Sequence, residues 1–148
     1  MISSSNTWSQ FPISVSIEFP LRQKRTPFGL VSDPKIPVYV RLLQGDRRYY
    51  FLLDTGADFS IAPRRLAHQL GLDWAGLRAS QVIGVEQSGV NARLGLLPIR
   101  VGHLNFTVRC FFIDSLRTPF VLGRADFLDH VILHIDPSAR RIILDGIT

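Results

Sequence analysis

The apolar residues of this chain come in short runs, each closed by Gly, Pro or a polar turn, and that punctuation limits the chain to a strand-based fold. ISVSIEF (13–19) alternates apolar and polar side chains with the period of a half-buried strand. IPVYVRLL (36–43) and RRYYFLL (47–53) flank Gln44-Gly45-Asp46, which predicts a hairpin. Residues 82–101 predict two strands around a Gly/Ser/Gln turn, NFTVRCFFID (105–114) a further strand, and PFVLG (119–123) a short one that stops at Gly123. VILHID (131–136) and RRIILDG (140–146) predict a last hairpin across Pro137 and Ser138. Pro63 opens a short helical pattern, with Leu66, Ala67 and Leu70 on one face and Gly71 as its stop. ADFLDH has room for a single helical turn. Residues 20–35, with Pro20, Pro27, Gly29 and Pro34, read as an irregular connection. Many short strands, one or two short helices and no βαβ alternation predict an all-β, barrel-like domain.

Composition excludes several classes. At 148 residues with 46% hydrophobic and 20% charged side chains, the chain is one globular domain able to bury a core. The net charge of +5 raises nucleic acid as a partner, but only Lys24 and Lys35 are lysines and the arginines are dispersed along the chain. Arg22, Lys24 and Arg25 form the one tight cluster, too short for a tail of like charge, so no nucleic-acid partner is expected. A single cysteine, Cys110, excludes an intrachain disulfide. The segment MISSSNTWSQF lacks the basic and apolar regions of a signal peptide, and no apolar run reaches membrane-spanning length. A cytoplasmic protein with no membrane partner is expected.

Chemistry concentrates where RRYYFLL runs straight into Asp54-Thr55-Gly56-Ala57-Asp58. A carboxylate at the end of a buried strand must be held by hydrogen bonds or put to use, because an unpaired buried charge is costly. Gly56 allows a tight turn and a close approach of another backbone. Asp-Thr-Gly alone is equally a turn that ends a strand. Its surroundings argue for more: the Leu52-Leu53 lead-in, the Ala57-Asp58 continuation, and the run VLGRADF (121–127) further downstream.

With these motifs the chain resembles the retropepsin family of aspartic peptidases over about residues 36–146. The resemblance implies an acid-protease closed barrel with a flap hairpin, in a domain spanning 36–148 behind an N-terminal extension, 1–35. It implies Asp54 as the catalytic carboxylate, with Thr55 and Gly56 supporting the active-site loop and Thr55 tying two such loops together across a dimer. Gly56, Ala57 and Asp58 are implied to bind substrate, together with Ile83, Gly84 and Val85 of a flap at 82–96. Gly123 and Arg124 are implied to be structural, with Arg124 the partner of Asp58. The extension has no counterpart in the minimal viral enzymes, and the flap segment is less Gly-rich than theirs.

One Asp-Thr-Gly is half of what the reaction needs. The chemistry uses two carboxylates sharing a proton around a water, and a two-fold homodimer supplies the second from the same sequence. RRIILDG, as a terminal strand with open edges, is the expected interface. The expectation is therefore a homodimeric aspartic endopeptidase acting on protein or peptide, preferring apolar side chains through Ile83, Val85 and Val90. It requires no cofactor and no metal; His130 and His134 flank an apolar strand and lack a third ligand. The alternative is a catalytically silent dimer of the same fold that binds peptides as an interaction module.

Overall fold

The computed structural model of the chain describes residues 15–80 and 91–146. Its frame is set by alternation in β4 (Lys35–Leu42), where Ile36, Val38 and Val40 are fully buried and the residues between them face outward. β4 turns back at Leu43–Gln44 into β5 (Gly45–Leu53), in register from Leu42 opposite Gly45 to Lys35 opposite Leu52. Gly45 carries the left-handed backbone of that turn, φ +113°. After a loop over residues 54–59 come β6 (Ser60–Pro63), helix α1 (Arg64–Gln69) and a 3-10 turn at Trp74–Gly76. β7 (Arg78–Ser80), β8 (Ala92–Val101), β9 (Leu104–Ile113) and the two-residue β10 (Val121–Leu122) complete the barrel strands.

These strands run in the order β4-β5-β10-β6-β9-β8-β7, and β8 also pairs back onto β4 through Tyr39–Arg100 and Val40–Ile99. Six strands therefore close into a barrel, and β7 lies outside the closure on β8. The expected all-β closed barrel is what the chain forms. Phe51, Phe112, Phe127, Leu97 and Leu122 fill its interior without exposure, each stabilising the fold by about 1.5–3 kcal/mol through apolar burial. Cys110 lies among them, and burial pushes its thiol pKa far up, so it packs as a small apolar residue. The guanidinium groups of Arg64 and Arg93 lie 4.5 and 5.6 Å from the Trp74 ring.

The helix begins after Pro63 as the sequence predicts and stops before Gly71, whose φ of +78° suits glycine. A Cβ there would stand 2.6 Å from Leu43, so the stop also allows α1 to pack against the β4–β5 turn. ADFLDH contains the expected single turn, a 3-10 turn at Leu128–His130.

Outside the barrel, β1 (Ile17–Pro20), β11 (Ile132–Asp136) and β12 (Arg141–Asp145) form a second sheet in the order β1-β12-β11. The strand expected at 13–19 is thus observed over Ile17–Pro20. The sheet corrects the expected interface: RRIILDG does not have open edges, because β12 is paired on both sides, by β1 and by β11. Among the described residues the open edges are the outer sides of β1 and β11.

A second correction concerns residues 20–35. They are not irregular: β2 (Arg22–Thr26) and β3 (Gly29–Asp33) form a two-stranded hairpin. Pro27 and Gly29, read as breakers, build its turn, with Gly29 at φ +118°. The expected flap tip, with Ile83, Gly84, Val85, Gly89 and Val90, lies outside the described residues; β7 and β8 flank it, paired up to Ser80 opposite Ala92. Among the described residues no helix is long and apolar enough to cross a membrane.

Candidate active site

The site is built where three strands meet. β10 inserts between β5 and β6, parallel to the first (Val121 with Leu52, Leu122 with Leu53) and antiparallel to the second (Val121 with Ile61). Two apolar residues followed by Gly are what this slot accepts: Val121 and Leu122 are buried, and the chain must then leave past the loop joining β5 to β6. A Cβ on Gly123 would lie 2.5 Å from the Phe59 carbonyl oxygen and 2.8 Å from that of Ala57. Both obstacles are backbone, so only glycine passes. The Gly123 N–H donates to the fully buried Ser60 hydroxyl at 3.2 Å, which satisfies that polar group inside the barrel.

Asp54 follows β5 directly. Its N–H donates to the Leu122 carbonyl at 3.0 Å, extending the β5–β10 ladder by one residue and fixing where the carboxylate emerges. The Gly56 N–H then donates to Asp54 Oδ1 at 2.8 Å, and the Ala57 N–H to the Asp54 carbonyl at 3.2 Å. Asp54 is half-buried and oriented by its own loop, with Thr55 and Gly56 exposed beside it. A Cβ on Gly56 would sit 3.2 Å from Asp54 Oδ1, crowding the bond that orients the acid.

The loop is locked from behind by the segment after Gly123. Arg124 N–H donates to the Ala57 carbonyl and Ala125 N–H to the Asp58 carbonyl, each at 2.9 Å. The Arg124 side chain reaches over the loop, donating from Nη1 to the Thr55 carbonyl at 2.5 Å and from Nη2 to the Asp58 carboxylate. Asp58 is 75% exposed, so that ion pair contributes at most about 1 kcal/mol of stability. Its effect is geometric: one guanidinium spans both ends of the turn that carries Asp54.

Thus the structure brings Asp54, Thr55, Gly56, Ala57 and Asp58 together with Gly123 and Arg124, and Arg124 meets Asp58. Ile83, Gly84 and Val85 lie outside the described residues. The Thr55 hydroxyl has no partner within the described chain, although its carbonyl is held by Arg124.

The sequence reading missed a second anchor. Asp126 adopts φ +66°, a left-handed conformation that Asp tolerates better than most residues. Its carboxylate accepts from Arg109 three times, from the backbone N–H at 3.0 Å, Nε at 2.8 Å and Nη2 at 3.3 Å. The Arg109 side-chain bonds, then its backbone N–H, hold the Asp126 carboxyl below the usual carboxylate range. Arg109 also lies over the Phe59 ring at 5.3 Å, and Phe59 meets Phe111 edge-on. The pair thereby ties the turn after Arg124 to β9. Asp126 is visible within VLGRADF, but nothing local in the sequence selects Arg109, 17 residues away, as its partner.

Comparison with known proteins fits this geometry. The fold matches a retropepsin-like aspartic protease from Rickettsia conorii with a TM-score of 0.60 and 20% identity, over 90% of this chain and 93% of that one. It also matches the retroviral protease-like domain of Ddi1 from Leishmania major, with a TM-score of 0.54 and 16% identity over 73% and 84% of the two chains. These likenesses define the class: a retropepsin-like fold. Comparison of the sequence with curated proteins finds no match. The sequence profile of the family described as "Aspartyl protease" covers residues 36–127, more than half of the chain. The chain belongs to the aspartyl protease family.

Two outcomes are expected. Gly123→Ala forces the Phe59 and Ala57 carbonyls apart and destabilises the fold by about 3 kcal/mol, read as a fall of roughly 10 °C in the thermal midpoint. Asp126→Asn removes a carboxylate whose folded-state pKa lies below its ordinary 3.8. That contribution is complete above about pH 4 and is lost as pH falls through the folded value. Thermal melts of wild type and Asp126→Asn should therefore differ most near pH 6 and converge as the pH is lowered past the folded value.

Proposed function

We propose that the chain is an aspartic endopeptidase that works as a homodimer, hydrolysing peptide bonds with a water held between two copies of Asp54. The observation that carries this reading is the orientation of Asp54: a carboxylate at the end of a barrel strand, with one oxygen fixed by the Gly56 N–H at 2.8 Å. A carboxylate used only to end a turn needs no loop braced by Arg124 from the far side. Two like charges a few ångström apart cannot both ionise, so two such carboxylates share one proton. The ionised member takes a proton from the water as it attacks the scissile carbonyl, and the protonated member donates to the oxygen where negative charge develops.

Thr55 and Gly56 support the loop in this reading. The Thr55 hydroxyl, unpartnered within the described chain, is free to reach across the two-fold axis to the partner's loop. Gly56, Ala57 and Asp58 line the substrate backbone, with Ile83, Gly84 and Val85 of the flap opposite.

The interface is assigned to β11 instead of β12. Among the described residues its outer edge is open, Ile132 and Ile135 are 59% and 42% exposed, and the strand begins eight residues after Arg124. Antiparallel pairing of two β11 strands about a two-fold axis joins the second sheets of both copies into one continuous sheet, with Ile132 on one face and Ile135 on the other.

Substituting Asp54→Asn should abolish cleavage of a peptide library, a loss of at least a thousandfold, with the dimer retained by light scattering. Unchanged cleavage would sink the assignment. Ile132→Glu with Ile135→Glu, both on exposed positions, should give a folded, inactive monomer; a dimer of normal activity would move the interface elsewhere.

A further inference from the structure

The β2–β3 hairpin belongs neither to the barrel nor to the second sheet. Nearly every residue of it is exposed, and among the described residues neither outer edge is paired. Two-stranded hairpins are marginal by themselves in water, yet this one is held firmly at both ends. At its base Leu21 is buried, and Arg22 donates to the Tyr50 hydroxyl at 3.0 Å while lying 4.5 Å over that ring. At its tip the Thr26 hydroxyl donates to the Gly29 carbonyl at 2.7 Å and accepts the Phe28 N–H at 3.1 Å. That turn presents Phe28, 99% exposed, beside Leu30 and Val31 at 56% and 44%. The other strand carries Lys24 and Arg25, which have no acidic partner among the described residues. The acid of the hairpin, Asp33, is engaged by Lys35 at its foot, 3.6 Å away.

The foot stands beside the catalytic strand. Pro34, immediately after β3, accepts the Leu53 N–H at 3.0 Å, and Leu53 precedes Asp54. Five residues of strand reach about 17 Å, so in whichever direction the hairpin points its tip lies within about 25 Å of Asp54. An extended peptide covers that distance in about eight residues.

We propose that the β2–β3 hairpin is a docking arm for substrate, recognising a segment within about eight residues of the scissile bond that combines acidic side chains with a large apolar one. Lys24 and Arg25, on opposite faces of the hairpin, meet acids that alternate along the docked segment, and Leu30, which shares the face of Arg25, packs with Phe28 of the turn against the apolar side chain. An open hairpin edge takes the segment as a third strand, the usual route by which an extended peptide joins a sheet. A peptide segment suits the arm better than a lipid surface because the foot of the arm is hydrogen-bonded to the strand that delivers Asp54, so an extended substrate can occupy both. The inference names a substrate class for the peptidase proposed above and rests on that reading.

The test uses two pools of peptides with randomised eight-residue cores, one extended by Glu-Asp-Glu-Phe-Leu and the other by a neutral Gly/Ser segment of equal length. Binding to the full Asp54→Asn chain by fluorescence anisotropy should favour the acidic pool about tenfold at low salt. The ratio should fall towards one in 0.5 M salt, in Lys24→Glu/Arg25→Glu and in Phe28→Ser; these are surface changes, and circular dichroism checks that the fold is kept. The wild-type chain should show the same preference in kcat/KM. Equal binding of the two pools, or a preference that survives both hairpin variants, overturns the docking arm. If the preference in binding holds while neither pool is cleaved, the arm stands and the peptidase reading fails. Binding to phosphatidylglycerol vesicles that is lost in Phe28→Ser, with no preference between the pools, would overturn the arm in favour of a lipid contact.

Discussion

The site depends on a close approach: Gly123 passing the carbonyls of Phe59 and Ala57 with no room for a side chain. That passage lets Val121 and Leu122 lie between β5 and β6, and the insertion of β10 bridges those two strands of the barrel. The same two residues position Asp54, since Leu122 offers its carbonyl to the Asp54 N–H. Barrel closure and placement of the acid are therefore one event. A chain able to close this barrel has already aimed its carboxylate.

Arg124 and Arg109 show why ion pairs near a surface are better understood through geometry than through energy. Both are at least two-fifths exposed, so neither pair stabilises the chain greatly. What each does is remove a freedom. Arg124 spans Thr55 and Asp58, the two sides of the turn that carries Asp54, and Arg109 holds Asp126 in a left-handed conformation that reverses the chain behind it. The planar fork of a guanidinium is suited to this, since it fixes two or three acceptors in one plane where an ammonium would act as a single point. The chain has only two lysines, Lys24 and Lys35.

Legibility in the sequence followed the range of the interaction. Local patterns carried the β4–β5 hairpin, the helix after Pro63, and the strand that ends on Asp54, because turn chemistry and alternation are written within a few neighbouring residues. The meeting of Asp58 with Arg124 came from the resemblance to retropepsins, not from pattern. Pairings between distant segments left no local trace: Ile17 with Leu144, which places β12 inside its sheet, and Arg109 with Asp126. The hairpin at 22–33 was hidden for another reason. Pro27 and Gly29 mark a turn, but β2, RQKRT, has no apolar alternation because it has no core beneath it. A strand that buries nothing cannot be recognised by what it buries.

Each copy completes its own loop. The Asp54 carboxylate, its backbone N–H and the carbonyls of Thr55, Ala57 and Asp58 are all engaged within the chain, so the loop is organised by this chain alone. In the proposed dimer, association then supplies a second carboxylate without rebuilding the first. Little ordering of the loop remains to be met at that step, and the free energy of the β11 contact goes largely into holding the copies together. Such a design places control of activity in assembly. In that proposed dimer a short edge strand with two part-exposed isoleucines would make a modest contact, which would leave the population of complete sites sensitive to chain concentration and to any substrate that bridges both copies.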